Sequence, residues 1–300
     1  MPIVPCTDLI AAAERGKYAV GYFESWDLES LMAVADAAEA VRSPVLLGLS
    51  GIYLNHTHRV VHERLSTYAA MGLDVCKTLS VPCNLVFNES PDLESVFEAI
   101  NLGFGLVMFS DENLDRQSQI ERVCQVVKYA HQSSVMVEGE AVALPGLAGD
   151  LSEIPDQLRI TDLQTAIDFI QKTQVDVLAV NLGQAHLHGR QKLHLDLSRL
   201  SEITDIINTP LVLHGTSSVY RSDLVKAIHL GIRKINVGSV VKQAYFEGIW
   251  RACQEVNKEA YNPYEVIGSG FEGDILVAGR LAMQKTVEEL MHVFGSAGRV

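Results

Sequence analysis

The sequence is short of positive charge, of cysteine pairs and of long apolar runs. Its 37 Asp and Glu outnumber 24 Lys and Arg, leaving a net charge of −13 and a pI near 5.2. That balance argues against nucleic acid and acidic membranes as main partners. It leaves room for a small anionic ligand, because a local cradle of donors can oppose the overall field. The five cysteines (Cys6, Cys76, Cys83, Cys124 and Cys253) are scattered and contain no Cys-x-x-Cys pair. Neither a disulfide framework nor a cysteine zinc site is indicated. No apolar run reaches membrane-spanning length. The first residues include Asp8 and Glu14 and lack the basic-then-apolar order of a signal peptide. Together these absences point to a reducing cytoplasm. No low-complexity tract and no domain linker is visible, so residues 1–300 are expected to form one domain.

What is present is organised around two stretches, PLVLHGTSS at 210–218 and KINVGS at 234–239. Each is a short apolar run that stops in small polar residues, the signature of a buried strand followed by a turn. His214 ends the first run, and Gly215 and three hydroxyl residues follow. Asn236, Gly238 and Ser239 end the second, just before a helical pattern. Glycine lets backbone approach a ligand closely, and free NH groups at a helix N-terminus hold phosphate well. Gly215, Ser217, Asn236 and Ser239 are therefore expected to bind a phosphate or related anion.

Along the chain, short apolar runs alternate with amphipathic helical patterns. Strands are expected at 18–23, 44–49, 81–87, 106–109, 134–140 and 176–182, followed by the two opening stretches. Helices are expected at 7–15 with Thr7 as cap, and at 28–41, 57–71, 92–101 and 114–131. Others are expected at 161–172 with a Thr161/Gln164 capping box, and at 197–207, 222–230, 240–256 and 276–293. Eight strands alternating with helices require parallel pairing, since each crossover needs a helix. Eight such units in 300 residues predict a closed (β/α)₈ TIM barrel with an extra N-terminal helix and a C-terminal helical extension. The irregular segment 141–159 has the length of a lid. His56, His58 and His62 read as surface. Glu138 and Glu140 are two apart on a strand and share a face.

The chain resembles the class II, metal-dependent ketose-bisphosphate aldolases, the fructose- and tagatose-bisphosphate group. The blocks that carry the resemblance are YAVGYFESWDLES, SPVLLGLSG, VMVEGE, TDLQTAIDFIQKTQVDVLAVNLGQAH, PLVLHGTSS, LGIRKINVGS and FGSAG, in the family's order. The resemblance implies a dimeric or larger barrel that binds a divalent metal, commonly zinc. It also implies cleavage of a ketose phosphate to dihydroxyacetone phosphate and an aldehyde, through a metal-bound enediolate. Ser50 matches a family position, and the resemblance implies that it binds the substrate or its phosphate.

Departures fall on the motif after the third strand, where the family carries His-Leu-Asp-His. Asn88 stands for the acid/base Asp and Glu89 for a metal-binding His. Glu24, Gly48 and Ser110 also differ from the family residues. By resemblance and by donor chemistry, Glu89, His186 and His214 are the expected metal ligands, a two-His, one-carboxylate set. His188 competes with His186. Asn88 can orient a hydroxyl but cannot carry its proton. Asp111 and Glu140, with Glu24, Asp150 and Glu153, are candidates for the proton carrier. The leading expectation is a divergent aldolase acting on a phosphorylated or anionic ketose. The alternatives are a sugar-phosphate-binding barrel without catalysis, and a metal-dependent isomerase or epimerase.

Overall fold

A computed structural model describes residues 3–54, 56–146, 160–186 and 191–300. His188, Asp150, Glu153 and positions 147–159 of the expected lid lie outside the described residues. Eight parallel strands close into a barrel in chain order: β1 (Val20–Glu24), β2 (Val45–Ser50), β3 (Cys83–Ser90), β4 (Leu106–Phe109), β5 (Met136–Glu140), β6 (Val177–Ala179), β7 (Leu211–Leu213) and β8 (Ile232–Val237). Helix α1 (Cys6–Gly16) precedes β1. The crossovers are α2 (Leu28–Val41), α3 (Leu65–Thr78), α4 (Leu93–Leu102), α5 (Arg116–Ala130), α6 (Leu163–Thr173), α7 (Leu197–Thr204) and α8 (Arg221–Leu230). After β8 come α9 (Ser239–Glu255), the single turn α10 (Pro263–Val266) and α11 (Ile275–Phe294). The fold is a (β/α)₈ TIM barrel, with α1 and the closing helices as additions.

Burial forms two layers. Between strands and helices lies a large apolar shell that includes Phe23, Leu47, Phe87, Phe104 and Phe169. Inside the barrel, Tyr22, Leu46, Val86, Leu106, Met136, Val177 and Val212 pack together, and α1 adds Cys6, Leu9, Ile10 and Ala13 to that cluster. Alternation along each strand separates the two sets. Because α1 contributes to the interior layer, the opposite end, at the strand C-termini, is where polar side chains gather.

Several expected boundaries move for local reasons. Helix α1 starts at Cys6 after Pro5 and has no side-chain cap, so Thr7 is not its N-cap. Asp162, not Thr161, caps α6 by accepting from Thr165 N; Thr161 Oγ1 instead accepts from Asn181 N. Asp also caps α2, α4, α5, α7 and α11, as suits the positive end of a helix. The helix expected at 57–71 lies at Leu65–Thr78, because Val60 and Val61 are exposed and do not join the apolar stripe. Strand β6 stops at Ala179, three residues short of expectation. Among the described residues no helix is long and apolar enough to cross a membrane.

Candidate active site

The strand C-termini surround a cavity of about 440 Å³, within the range of small-ligand sites. Its walls include Ser50, Asn88, Glu89, His186, His214, Gly215, Ser217, Asn236 and Ser239. Thus all of the expected metal-binding and anion-binding residues, and Asn88, face one space. Asp111 does not line this cavity; its carboxylate accepts from the backbone and side chain of Asn113. Glu140 is not among the lining residues either; it is buried, accepts from Leu144 N at 3.2 Å and is close enough to His214 and Glu89 to feel their charges.

The end of β3 brings two consecutive side chains inward. Neighbouring residues on a regular strand face opposite sides. Here the β3–β4 register shifts between Phe87 and Ser90, and Glu89 adopts φ +48°, a left-handed conformation uncommon for a non-glycine residue. Asn88 Nδ2 consequently donates to Glu89 Oε2 at 2.7 Å. Gly48, which faces β3, permits the close fit on the other side: a Cβ there would lie 1.9 Å from the Val86 carbonyl oxygen. That contact accounts for glycine where the resembling family carries a longer residue.

His214 sits between two carboxylates. Its Nδ1 is 2.7 Å from Glu89 Oε1 and its Nε2 is 2.6 Å from Glu138 Oε1. Glu138 also accepts from Lys234 Nζ at 2.6 Å, and Lys234 donates onward to Asn236 Oδ1. Asn236 Nδ2 returns to Asn88 Oδ1 at 3.0 Å. The array is almost entirely buried. Burial alone would lower the His214 pKa, but Glu89 and Glu138 outweigh it and raise it to about 10. Burial opposes ionisation of Glu138, yet Lys234 and His214 hold its pKa down to about 2. Glu89 is likewise lowered against burial, by His214 and then His186. For Glu140 burial outweighs the pull of His214 and, with the charges of Glu89 and Glu138 added, pushes its pKa up to about 7.

The small-residue ends form the opposite wall. Gly215, in the left-handed region at φ +64°, turns the chain into a short 3₁₀ turn at Thr216–Ser218. Ser239 begins α9, whose N-terminus faces the cavity. Lys242, one turn later, lines the same wall and donates to Glu24 Oε1 at 2.5 Å. Its ammonium lies about 5 Å from the ring centroids of both Trp26 and Tyr53. Lys192 Nζ donates to the Ser217 carbonyl at 2.8 Å. The sequence reasoning missed Lys242, Lys192 and Lys234. For Lys234 the signal was its two-residue spacing from Asn236 on one strand; for Lys242, its place one turn into the helix behind the cradle.

Comparison with known proteins agrees with the fold. A family model described as fructose-bisphosphate aldolase class-II matches residues 4–299. The chain is 30% identical over 291 residues to a sulfofructosephosphate aldolase from Alkalicoccus urumqiensis, covering 97% of this chain and 96% of that relative. It is also 30% identical over 302 residues to a fructose-bisphosphate aldolase from Geobacillus stearothermophilus, covering 100% and 99%. In fold it is similar to the YdjI aldolase from Escherichia coli K12, with TM-score 0.78, 24% identity and 99% of each chain covered. The fructose-bisphosphate aldolase from Campylobacter jejuni gives TM-score 0.77 at 17% identity, covering 99% and 97%. The family generally depends on a divalent metal, binds sugar phosphates and is often oligomeric. With a matching barrel, a strand-end site and a model match over nearly its whole length, the chain belongs to the class-II fructose-bisphosphate aldolases, which are carbon–carbon lyases.

Proposed function

We propose that this barrel cleaves or forms a carbon–carbon bond in a phosphorylated or otherwise anionic ketose. The observation that supports this most is that Glu89 and His214 share one cavity with the small-residue cradle, while Glu138 and Lys234 are buried behind His214 and complete its charge network. The cradle at Gly215–Ser217 and Asn236–Ser239, with Lys242, would hold the substrate's anionic group. Ser50 would contact the sugar portion.

The donor set fits a divalent ion. Glu89 lies at the end of β3, His214 follows β7 and His186 lies in the loop after β6, and all three line one cavity; an ion would take the place of the proton now held between His214 Nδ1 and Glu89 Oε1. Among the described residues no three His, Cys, Asp or Glu are already gathered at ligating positions, so His186 would have to close in. A carboxylate and two imidazoles suit zinc. When bound, such an ion supplies the positive charge that favours ionisation next to a ketone. In retro-aldol cleavage a proton leaves the hydroxyl, its carbon becomes an aldehyde as the adjoining carbon–carbon bond breaks, and the electron pair passes to the ketone fragment as an enediolate. Asn88, held by Glu89 and Asn236, would orient that hydroxyl. Glu140, which lies next to this array and whose pKa is about 7, is the group suited to carry the proton at neutral pH.

The substrate's far end is open between two chemistries, since relatives of equal identity are named for sulfofructosephosphate and for fructose bisphosphate. The replacement of a titratable residue by Asn88 favours, as second reading, a barrel that binds a sugar phosphate without turning it over. We further read the chain as one domain, assembled as a homo-oligomer, dimer or tetramer, in the cytoplasm. The test is aldol cleavage of a panel of ketose phosphates, including sulfofructose phosphate, by zinc-loaded parent and Glu140→Gln. We expect cleavage of at least one compound, with kcat about 10²–10⁴-fold lower in the variant. Tight binding with no cleavage of any compound would favour the second reading.

A further inference from the structure

Two buried hydroxyls that line the cavity have no hydrogen-bond partner among the described residues, Tyr22 Oη and Ser50 Oγ. Ser50 was expected at the site from sequence. Tyr22 was not: it lies in the middle of β1, within an apolar run, and reads as ordinary core. Its ring does belong to the interior layer, 2% exposed, and pairs in register with Leu46 on β2 and Asn236 on β8. Lys234 Nζ lies 5.1 Å from the ring centroid. A phenylalanine would fill this position with the same packing. Buried hydroxyls are otherwise nearly always satisfied, and leaving one unmet disfavours folding. A tyrosine whose oxygen meets no partner among the described residues but which lines a ligand cavity is therefore explained by the ligand.

We infer that the Tyr22 hydroxyl donates a hydrogen bond to an uncharged oxygen, hydroxyl or carbonyl, of the bound ketose. This rests on the aldolase reading above. The neighbourhood decides between donor and base. Burial, followed by the charges of Glu24, Glu89 and Glu138, holds the phenol well above its ordinary pKa. The group keeps its proton and cannot replace the missing carboxylate at position 88. Nor is it a phosphate ligand of the cradle, which lies on β7, β8 and α9. Tyr22 Oη and Ser50 Oγ, on the neighbouring strands β1 and β2, add two uncharged hydroxyls to a cavity otherwise rich in charge. Such hydroxyls select for oxygen on the sugar chain and disfavour analogues that lack it.

The experiment is calorimetric titration of parent and Tyr22→Phe with fructose 1,6-bisphosphate and, separately, with inorganic phosphate, alongside thermal melts. The variant should bind the sugar bisphosphate about 10-fold more weakly, bind inorganic phosphate like the parent, and melt at the same or a higher temperature. Equal sugar binding by both proteins would overturn the inference. So would a parallel loss for sugar and phosphate, which would mean general damage to the cavity. If the parent takes up phosphate but not the sugar bisphosphate, the sugar-phosphate reading fails first, and the role of Tyr22 falls with it.

Discussion

Lys234 Nζ lies 2.6 Å from Glu138 Oε2, and both side chains have no exposure to solvent. Two charges in the barrel interior persist because they satisfy each other and because His214 and Asn236 complete their hydrogen bonds. Removing Lys234 leaves Glu138 charged and buried, with His214 as its one remaining cation among the described residues. Lys234→Met is expected to cost about 3–5 kcal/mol of stability. Adding Glu138→Gln should recover part of that loss, since residues in one network do not behave additively. Chemical denaturation of the parent, both singles and the double measures this. A Lys234→Met cost below 1 kcal/mol would show that the pair is not what holds this layer.

The same network sets opposite pH limits on the chelator-treated protein. Glu138 is lowered from 4.5 to about 2 on folding, so its contribution is complete above pH 4.5 and disappears as pH falls toward 2. His214 is raised from 6.5 to about 10, so its contribution is complete below pH 6.5 and is lost as pH rises through 10. The melting temperature should fall at both ends, and His214→Gln should flatten the alkaline limb and also weaken the acid one, since His214 helps to hold Glu138 and Glu89 down. An alkaline limb unchanged in that variant would assign it to other groups.

Metal content is expected to depend on Glu89, His186 and His214. Protein purified with zinc and analysed by elemental mass spectrometry should carry one ion per chain. His214→Ala should carry none. A Glu89→Ala, His186→Ala double variant at full occupancy would move the site elsewhere in the molecule.

The polar strand ends were legible because each one stops a short apolar run at the same rim of the barrel. His214, Asn236, Ser239 and Ser50 all follow that rule and all reach the cavity. Asp111 obeys it too, yet its carboxylate turns to cap its own loop through Asn113. Local hydrogen bonding of that kind is invisible in a strand pattern. The joint inward placement of Asn88 and Glu89 depends on a register shift and a positive φ at a glutamate, and alternation argues against both. Lys234 and Tyr22 were hidden because they sit in the body of a strand, where an apolar reading comes first.

The anion cradle calls for a gentler probe than its glycine. A side chain at Gly215 would have to adopt φ +64°, and its Cβ would lie 2.8 Å from Leu144 Cδ2. Gly215→Val is expected to lower stability as well as phosphate affinity. Lys242→Gln keeps the backbone and removes one cation near the cradle. It should raise KM for a phosphorylated substrate about 10-fold with a smaller change in kcat, the pattern of lost ground-state binding. An unchanged KM would place the anion beyond the reach of Lys242.

Asn88 bears most directly on what this aldolase can do. Its Nδ2 donates to Glu89 and its Oδ1 accepts from Asn236, so the amide fits its surroundings at both ends. An aspartate there would keep the acceptor and lose the donor. It would also face the Glu89 carboxylate at a distance now occupied by a 2.7 Å hydrogen bond. Two like charges so close would raise the pKa of one of them and compete for the same metal. We therefore expect little or no cleavage of fructose 1,6-bisphosphate by the natural protein, and little gain from Asn88→Asp alone. Glu89→His removes the opposing carboxylate and supplies a neutral ligand, but without a proton carrier at 88 it too should gain little. The paired change should recover more activity than the two single changes together, because the residues act as a unit. Coupled assays of aldol cleavage with zinc, run on the parent, both singles and the double, decide the point. Robust cleavage of fructose 1,6-bisphosphate by the parent would show that Glu140, proposed above as the proton carrier for the natural ketose, serves this substrate too and that position 88 is not limiting.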